Sequence, residues 1–262
     1  MNEVSTGIAR DDEWKVCLVL EYEGTQYAGF QSQGDKPTVQ TAVEEAFFRL
    51  TGERRRLAAA GRTDTGVHAT GQVVTFRTSS RVPVERFVNG MNFHLPEDIA
   101  VRAARRVDMG FDPRRDARSR TYRYTMLNSQ GRSPLLRRTS YRVAQPLNVD
   151  AMEEAAGRLV GEHDFRAFAM ASGGEASTLR RVESARVWRE GDLVLFEIEA
   201  SGFLRQQVRR TAGSLVRVGT GDLTVDAFGS MLCTPEPGAA SWALPPEGLC
   251  LVSVRYDDPT MK

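Results

Sequence analysis

Apolar residues in this chain switch between a period of two and a helical period in one order, twice over. Trp14, Val16, Leu18, Leu20 and Tyr22 alternate as a strand does. Pro37 and Thr38 open a helix that carries Val39, Val43, Ala46, Phe47 and Leu50 and stops at Gly52. A short strand near 54–60, a loop at 61–70 and a strand from Gln72 to Thr78 follow. Pro83 then starts a helix with Phe87, Val88 and Met91 inward, and Ile99–Val107 reads as a strand. The second pass begins with a strand over Arg120–Leu127. Asp150 and Glu153 are spaced as a capping box for a helix that buries Met152, Ala155, Ala156 and Leu159. Leu179–Trp188 and Leu193–Ala200 form a hairpin around Glu190-Gly191-Asp192. Leu204, Val208, Ala212 and Leu215 mark another helix, a short helix near 224–232 is extra, and Leu249–Tyr256 is the last strand. Two successive β-α-β-β-α-β units predict an α+β fold, with two ferredoxin-like halves whose antiparallel sheets lie side by side. The repeat is architectural, with no sequence identity between the halves. The expected division is a flexible N-terminal tail at 1–12, one half at 13–108 and the other at 109–262.

At 262 residues the chain can bury a substantial core. Cys17, Cys233 and Cys250 are far apart, no CxxC pair exists, and His68, His94 and His163 are scattered, so no structural metal site is expected. An odd, low cysteine count fits a reducing compartment. The polar, acidic N-terminus does not read as a signal peptide, and no run of about 18 apolar residues exists. A soluble cytoplasmic protein without membrane contact is the expectation. Net charge is only +1, yet 12 arginines and three aspartates fall between Arg102 and Arg142, with Tyr122, Tyr124 and Tyr141 interleaved. That composition suits phosphate contacts and base stacking, and equally a solvated strand face or an acidic protein partner. The wider excess of 32 arginines over three lysines is first a matter of a GC-rich genome.

The densest chemistry lies in Gly61-Arg62-Thr63-Asp64-Thr65-Gly66-Val67-His68-Ala69. Glycines permit a tight, irregular backbone, and Asp64 stands in its middle. In an extended loop residues i and i+2 point the same way, so Arg62 could pair with Asp64 and leave it as an ionised nucleophile or base. The bland alternative is an aspartate that holds its own turn. Asp64-Thr65-Gly66 also spells the aspartic protease triplet. Polar Arg62-Thr63 precedes it instead of an apolar strand, and no second triplet exists, so that reading is remote.

As a whole, GRTDTGVHA resembles the signature of the TruA family of tRNA pseudouridine synthases, GRTD-x-GVHA. Tyr22-Glu23-Gly24-Thr25-Gln26-Tyr27-Ala28-Gly29-Phe30-Gln31 resembles the family's N-terminal block, and Gly71-Gln72-Val73-Val74 the strand after its catalytic loop. Phe111-Asp112-Pro113-Arg114-Arg115 is similar to a tRNA-contacting segment. Ser119-Arg120-Thr121-Tyr122-Arg123-Tyr124 resembles the active-site tyrosine motif, Gly202–Arg210 the FL-x-x-(M/Q)-V-R block, and Pro246-Glu247-Gly248-Leu249 the family's PEGL. The matches run in family order from about residue 14 to 256.

The resemblance implies isomerisation of uridine to pseudouridine in the anticodon stem-loop, positions 38–40, by a cytoplasmic homodimer that uses no cofactor and no metal. The cleft between the halves would be catalytic. Asp64 would be the catalytic aspartate, and Tyr122 the ring that stacks on the uracil. Arg209 would pair with the carboxylate, Arg62 would face Asp64 or the flipped nucleotide's backbone, and Leu249 would be an apolar wall. Phe111, Asp112, Arg114 and Arg115 would contact tRNA. By pattern alone Tyr122 and Tyr124 share one strand face and are not separable, and Arg205 and Arg209 fall on one helix row. The loop Ala169–Ser177 departs from the family and is expected near tRNA, followed by Arg180. The alternative is a non-catalytic RNA-binding protein of the same fold.

Overall fold

The computed structural model describes residues 13–170 and 177–257. The expected tail at 1–12 and most of the 169–177 loop lie outside the described residues. In the first unit β1 (Trp14–Tyr22), α1 (Val39–Thr51), β2 (Ala58–Ala59), β3 (His68–Thr78), α2 (Phe87–His94) and β4 (Ile99–Val107) follow in order. The second comprises β5 (Ala117–Asn128), β6 (Tyr141–Val143), α3 (Val149–Gly157), β7 (Gly161–Asp164), β8 (Leu179–Glu190), β9 (Leu193–Ala200), α4 (Gln207–Thr220), α5 (Val225–Cys233) and β10 (Leu249–Tyr256).

The strands form one sheet in the order β4-β1-β3-β10-β5-β9-β8-β7, with β2 on β3 and β6 on β5. The first half runs β4-β1-β3-β2 and the second β10-β5-β9-β8, the same permutation, with antiparallel neighbours in each. The expected side-by-side sheets are therefore fused into one. They meet where β10 pairs with β3 in parallel, through Cys250–His68 and Leu251–Ala69 alone. The short second strand makes this possible. Ala58 and Ala59 pair only with Thr75 and Val74, so the lower part of the same β3 edge is left for β10. The run before it, Glu53-Arg54-Arg55-Arg56, has no apolar alternation to extend the pairing.

Each half has its own core. Val16, Leu18 and Leu20 pack with Val43, Phe47, Phe76, Phe87 and Met91, and Phe47 stacks on Phe76 at 4.0 Å. Tyr124, Met126, Phe196 and Ile198 pack with Met152, Phe165, Phe168 and Leu215. The two cores exchange one fully buried residue each. Val67, from the loop before β3, lies in the second core, and Leu251 of β10 lies in the first.

Helix ends follow local chemistry. Thr38 and Thr41 form a reciprocal capping box at α1, and Gly52 ends that helix at φ 75°. At α3 the expected Asp150–Glu153 box does not form. Asn148 caps the helix by accepting from Ala151 N, while Glu153 accepts from Val187 N on β8. α4 starts three residues later than its apolar spacing suggests, because Gln206 adopts φ 62° and interrupts the helical path. Arg205 therefore precedes the helix and does not share a row with Arg209. Among the described residues no helix is long and apolar enough to cross a membrane.

Candidate active site

The loop from Gly61 to Val67 is held at nearly every residue. Gln72 Nε2 donates to Gly61 O at 3.0 Å. The Tyr22 and Thr63 hydroxyls are 2.8 Å apart in the buried interior, and Phe30 N donates to Thr63 O at 3.1 Å. Val67 N donates to Asp64 O at 3.1 Å, closing a turn whose third residue, Gly66, has φ 78°. A side chain there would be strained and would press on Pro246. His68 ties the loop's end across the junction: its Nδ1 accepts from Gly24 N at 2.9 Å and its Nε2 donates to Glu247 O at 3.1 Å. The clamped backbone fixes where Asp64 sits, and its side chain is partly open to a cleft of about 1240 Å³ that Arg62 and Thr65 of the same loop also line.

The opposite wall comes from the second half. Arg209 Nη1 lies 3.6 Å from Asp64 Oδ2, and the arginine is the more buried partner, at 15% side-chain exposure against 39%. Arg209 Nε donates to Leu244 O at 2.6 Å, which fixes the guanidinium before it meets the carboxylate. Asp64 therefore pairs across the junction. That is the pairing the resemblance implies; Arg62, which local spacing allows as a second candidate, is exposed, lines the cleft and forms no ion pair among the described residues. A loop closed by a turn at Asp64 is not extended, so the i, i+2 argument does not apply to it.

Tyr122 and Tyr124 do share a face of β5, and depth separates them. Tyr124 is fully buried, donates to Pro245 O at 2.7 Å and lies against Gly248. Tyr122 lines the cleft, meets the Phe203 ring edge-on at 5.2 Å and packs against both cores. Burial first, and then the Asp64 charge, push the Tyr122 phenol well above its ordinary pKa, so it is a neutral ring and hydroxyl at working pH. Leu249, the first residue of β10, is buried and supplies an apolar part of the wall.

The Phe111–Arg115 segment divides. Phe111 is 9% exposed and packs on Tyr256 at 5.1 Å, so its ring belongs mainly to a small core and lies away from the Asp64 cleft. Asp112 Oδ1 accepts from Arg114 N and Arg115 N, both at 2.9 Å, and these backbone donors hold its carboxyl below the usual range. Its role here is to shape a turn. Arg114 is exposed on the cleft, whereas Arg115 turns away to Asp116 and Gly110 O and lines a different hollow. Beneath the turn, the buried Lys15 donates to Met109 O at 2.6 Å and Phe111 O at 2.7 Å.

Charge at the cleft is drawn from the whole chain. Arg56, Arg62, Arg114, Arg120, Arg180, Arg205 and Arg209 line it, against Asp64 and Asp112. Only Arg114 and Arg120 come from the arginine-rich stretch. Others in that stretch are engaged elsewhere: Arg123 with Glu197, Arg118 with Asp257, Arg138 with Glu23. Sequence reasoning missed His68 and Gln72 as supports of the loop, although both lie in the quoted motifs. Among the described residues no three His, Cys, Asp or Glu side chains converge as a metal site would require.

The family profile described as tRNA pseudouridine synthase matches residues 18–114 and 155–257. Curated relatives named tRNA pseudouridine synthase A align over nearly their whole length. The one from Geotalea daltonii is 43% identical, covering 92% of this chain and 99% of its own. That from Geobacter sulfurreducens is 44% identical with the same coverage, and that from Myxococcus xanthus is 43% identical over 93% of this chain and 92% of its own. Likeness to a solved Cbf5-Nop10-Gar1 complex, at 12% identity over 76% of this chain and 54% of that one and a TM-score of 0.34, is too slight to bear on the site. By its profile match and by these relatives, the chain belongs to the tRNA pseudouridine synthase family.

Proposed function

We propose that this protein isomerises uridine to pseudouridine in tRNA, in the anticodon stem-loop at positions 38–40, with Asp64 as the essential carboxylate. One observation carries the reading: Asp64 of the first half faces Arg209 and Tyr122 of the second half in one cleft. The reaction breaks the N1–C1′ bond, turns the uracil, forms a C5–C1′ bond and releases the C5 proton, while N1 takes up one proton. Its atoms balance without a co-reactant. The target base must leave its stack and be kept from escaping once detached. The Tyr122 ring, backed by Phe203, offers a face for the flipped base, and Leu249 closes the apolar side. Arg209, anchored on Leu244 O, orients the Asp64 carboxylate towards the nucleotide. As a neutral phenol, Tyr122 serves by stacking and hydrogen bonding and not as a ready-made base.

In this reading residues 13–108 supply the carboxylate, and residues 109–262 the aromatic wall and most of the tRNA grip. Arg62, Arg114 and Arg205 approach the backbone, and such contacts position RNA without reading its sequence. Cytoplasmic location and a homodimer that doubles the footprint belong to the same proposal. Incubation with an unmodified tRNA transcript, followed by carbodiimide treatment and primer extension, should give stops one nucleotide to the 3′ side of positions 38, 39 or 40, wherever uridine stands there. Stops elsewhere would overturn the assigned positions. Retention of the tRNA with no stops at all would favour a binding protein of this fold.

A further inference from the structure

Arg120 is a half-buried cation facing the cleft, and among the described residues no carboxylate pairs with it. Its guanidinium is spent on backbone carbonyls. Nη2 donates to Ala60 O at 2.9 Å and to Arg114 O at 2.7 Å, while Nη1 donates to Ser201 O at 2.9 Å and more weakly to Ala117 O at 3.4 Å. Each strong contact leads to a different wall of the cleft. Ala60 is the residue before the Gly61–Val67 loop. Arg114 tops the turn that faces the cleft. Ser201 precedes Gly202 and Phe203, whose ring meets Tyr122. Arg120 itself lies two residues before Tyr122 on the same face of β5.

We propose that Arg120 is a positioning residue that sets the Asp64 loop in register with the Arg114 turn and the Tyr122–Phe203 pair. The proposal rests on the reading of Asp64 given above. The carbonyls entering the loop are held from both halves, Gly61 O by Gln72 of the first and Ala60 O by Arg120 of the second. Because β10 and β3 share only two residue pairs, the sheet alone ties the halves weakly at this point. A planar fork can reach three separate segments at once. A lysine's ammonium holds its three donors at one point and cannot stand at both terminal nitrogen positions. With both terminal nitrogens engaged twice, the group has little left to offer a phosphate, so its effect falls on the rate and not on affinity.

The test is single-turnover tritium release from tRNA labelled at uracil C5, at saturating enzyme, with the tRNA Kd measured alongside. Arg120→Lys should lose about 100-fold in rate, the scale of a misplaced catalytic group. Its Kd should stay within about threefold of wild type, since the loss lies in the chemical step. Arg120→Gln, whose amide reaches fewer carbonyls, should behave alike and decides the matter should the lysine variant not fold. Asn148→Ala, which removes a helix cap outside the cleft lining, controls for lost stability and should keep the wild-type rate per active site. A wild-type rate in Arg120→Lys would overturn the proposal. So would a loss confined to Kd, or one no greater than in the control. Absence of release by the wild type itself, or release by Asp64→Asn, would instead sink the reading on which the proposal rests.

Discussion

The two halves share a strand order but not a finish. In the second half β8, the counterpart of β2, is twelve residues long and closes its unit with a full hairpin partner. In the first half β2 is two residues long and leaves the β3 edge open. The second half fills that edge with β10, and the loop that enters β3 carries Asp64 to the place where the sheets meet. The less complete repeat thus bears the carboxylate, and the complete one bears the groups that face it. A site assembled this way works only while the halves stay in register.

The comparison breaks most sharply at Asp64. Asp64→Ala should abolish turnover yet leave tRNA retention on filters close to wild type, because the grip on the backbone lies elsewhere. Its cross-junction partner comes next. Arg209→Ala should lower the saturating rate by about 10²–10³, the usual loss for a preorganised charge at a reacting centre. Stability of the junction follows. A Cβ at Gly71 would sit 2.2 Å from Val252 O, so Gly71→Ala forces β3 and β10 apart and should cost about 1–3 kcal/mol in chemical denaturation. Arg114→Ala should weaken tRNA binding about evenly across sequences and flatten the salt dependence by about one unit of log–log slope. The smallest effect is local: Thr38→Ala removes the α1 cap, costs about 1 kcal/mol, and leaves the rate per active site unchanged.

Much of this was legible in the residues, because strand and helix periods are local signals. Ile99–Val107 and Leu249–Tyr256 end where their alternation ends. The fusion of the sheets was not legible, since two parallel residue pairs between β3 and β10 leave no pattern in either strand. The partner of Asp64 was legible only through the family resemblance, which named Arg209; local spacing offered Arg62, and Arg209 is near Asp64 only in space. Phe111 shows the converse limit, for a motif places the segment while its burial depends on Tyr256, far along the chain. Arg120 was quoted within a motif, but its contacts are all with carbonyls, which no side-chain spacing reveals.

The central claim is that Asp64, carried by the less complete half, performs the isomerisation. It is tested most directly by tritium release from a tRNA transcript labelled at uracil C5, with wild type and Asp64→Asn compared at equal bound tRNA. Forming the C5 glycosidic bond expels that hydrogen, so release reports the reaction itself. The expected result is stoichiometric release by the wild type and none by Asp64→Asn. Release by both at similar rates would contradict the assignment of Asp64.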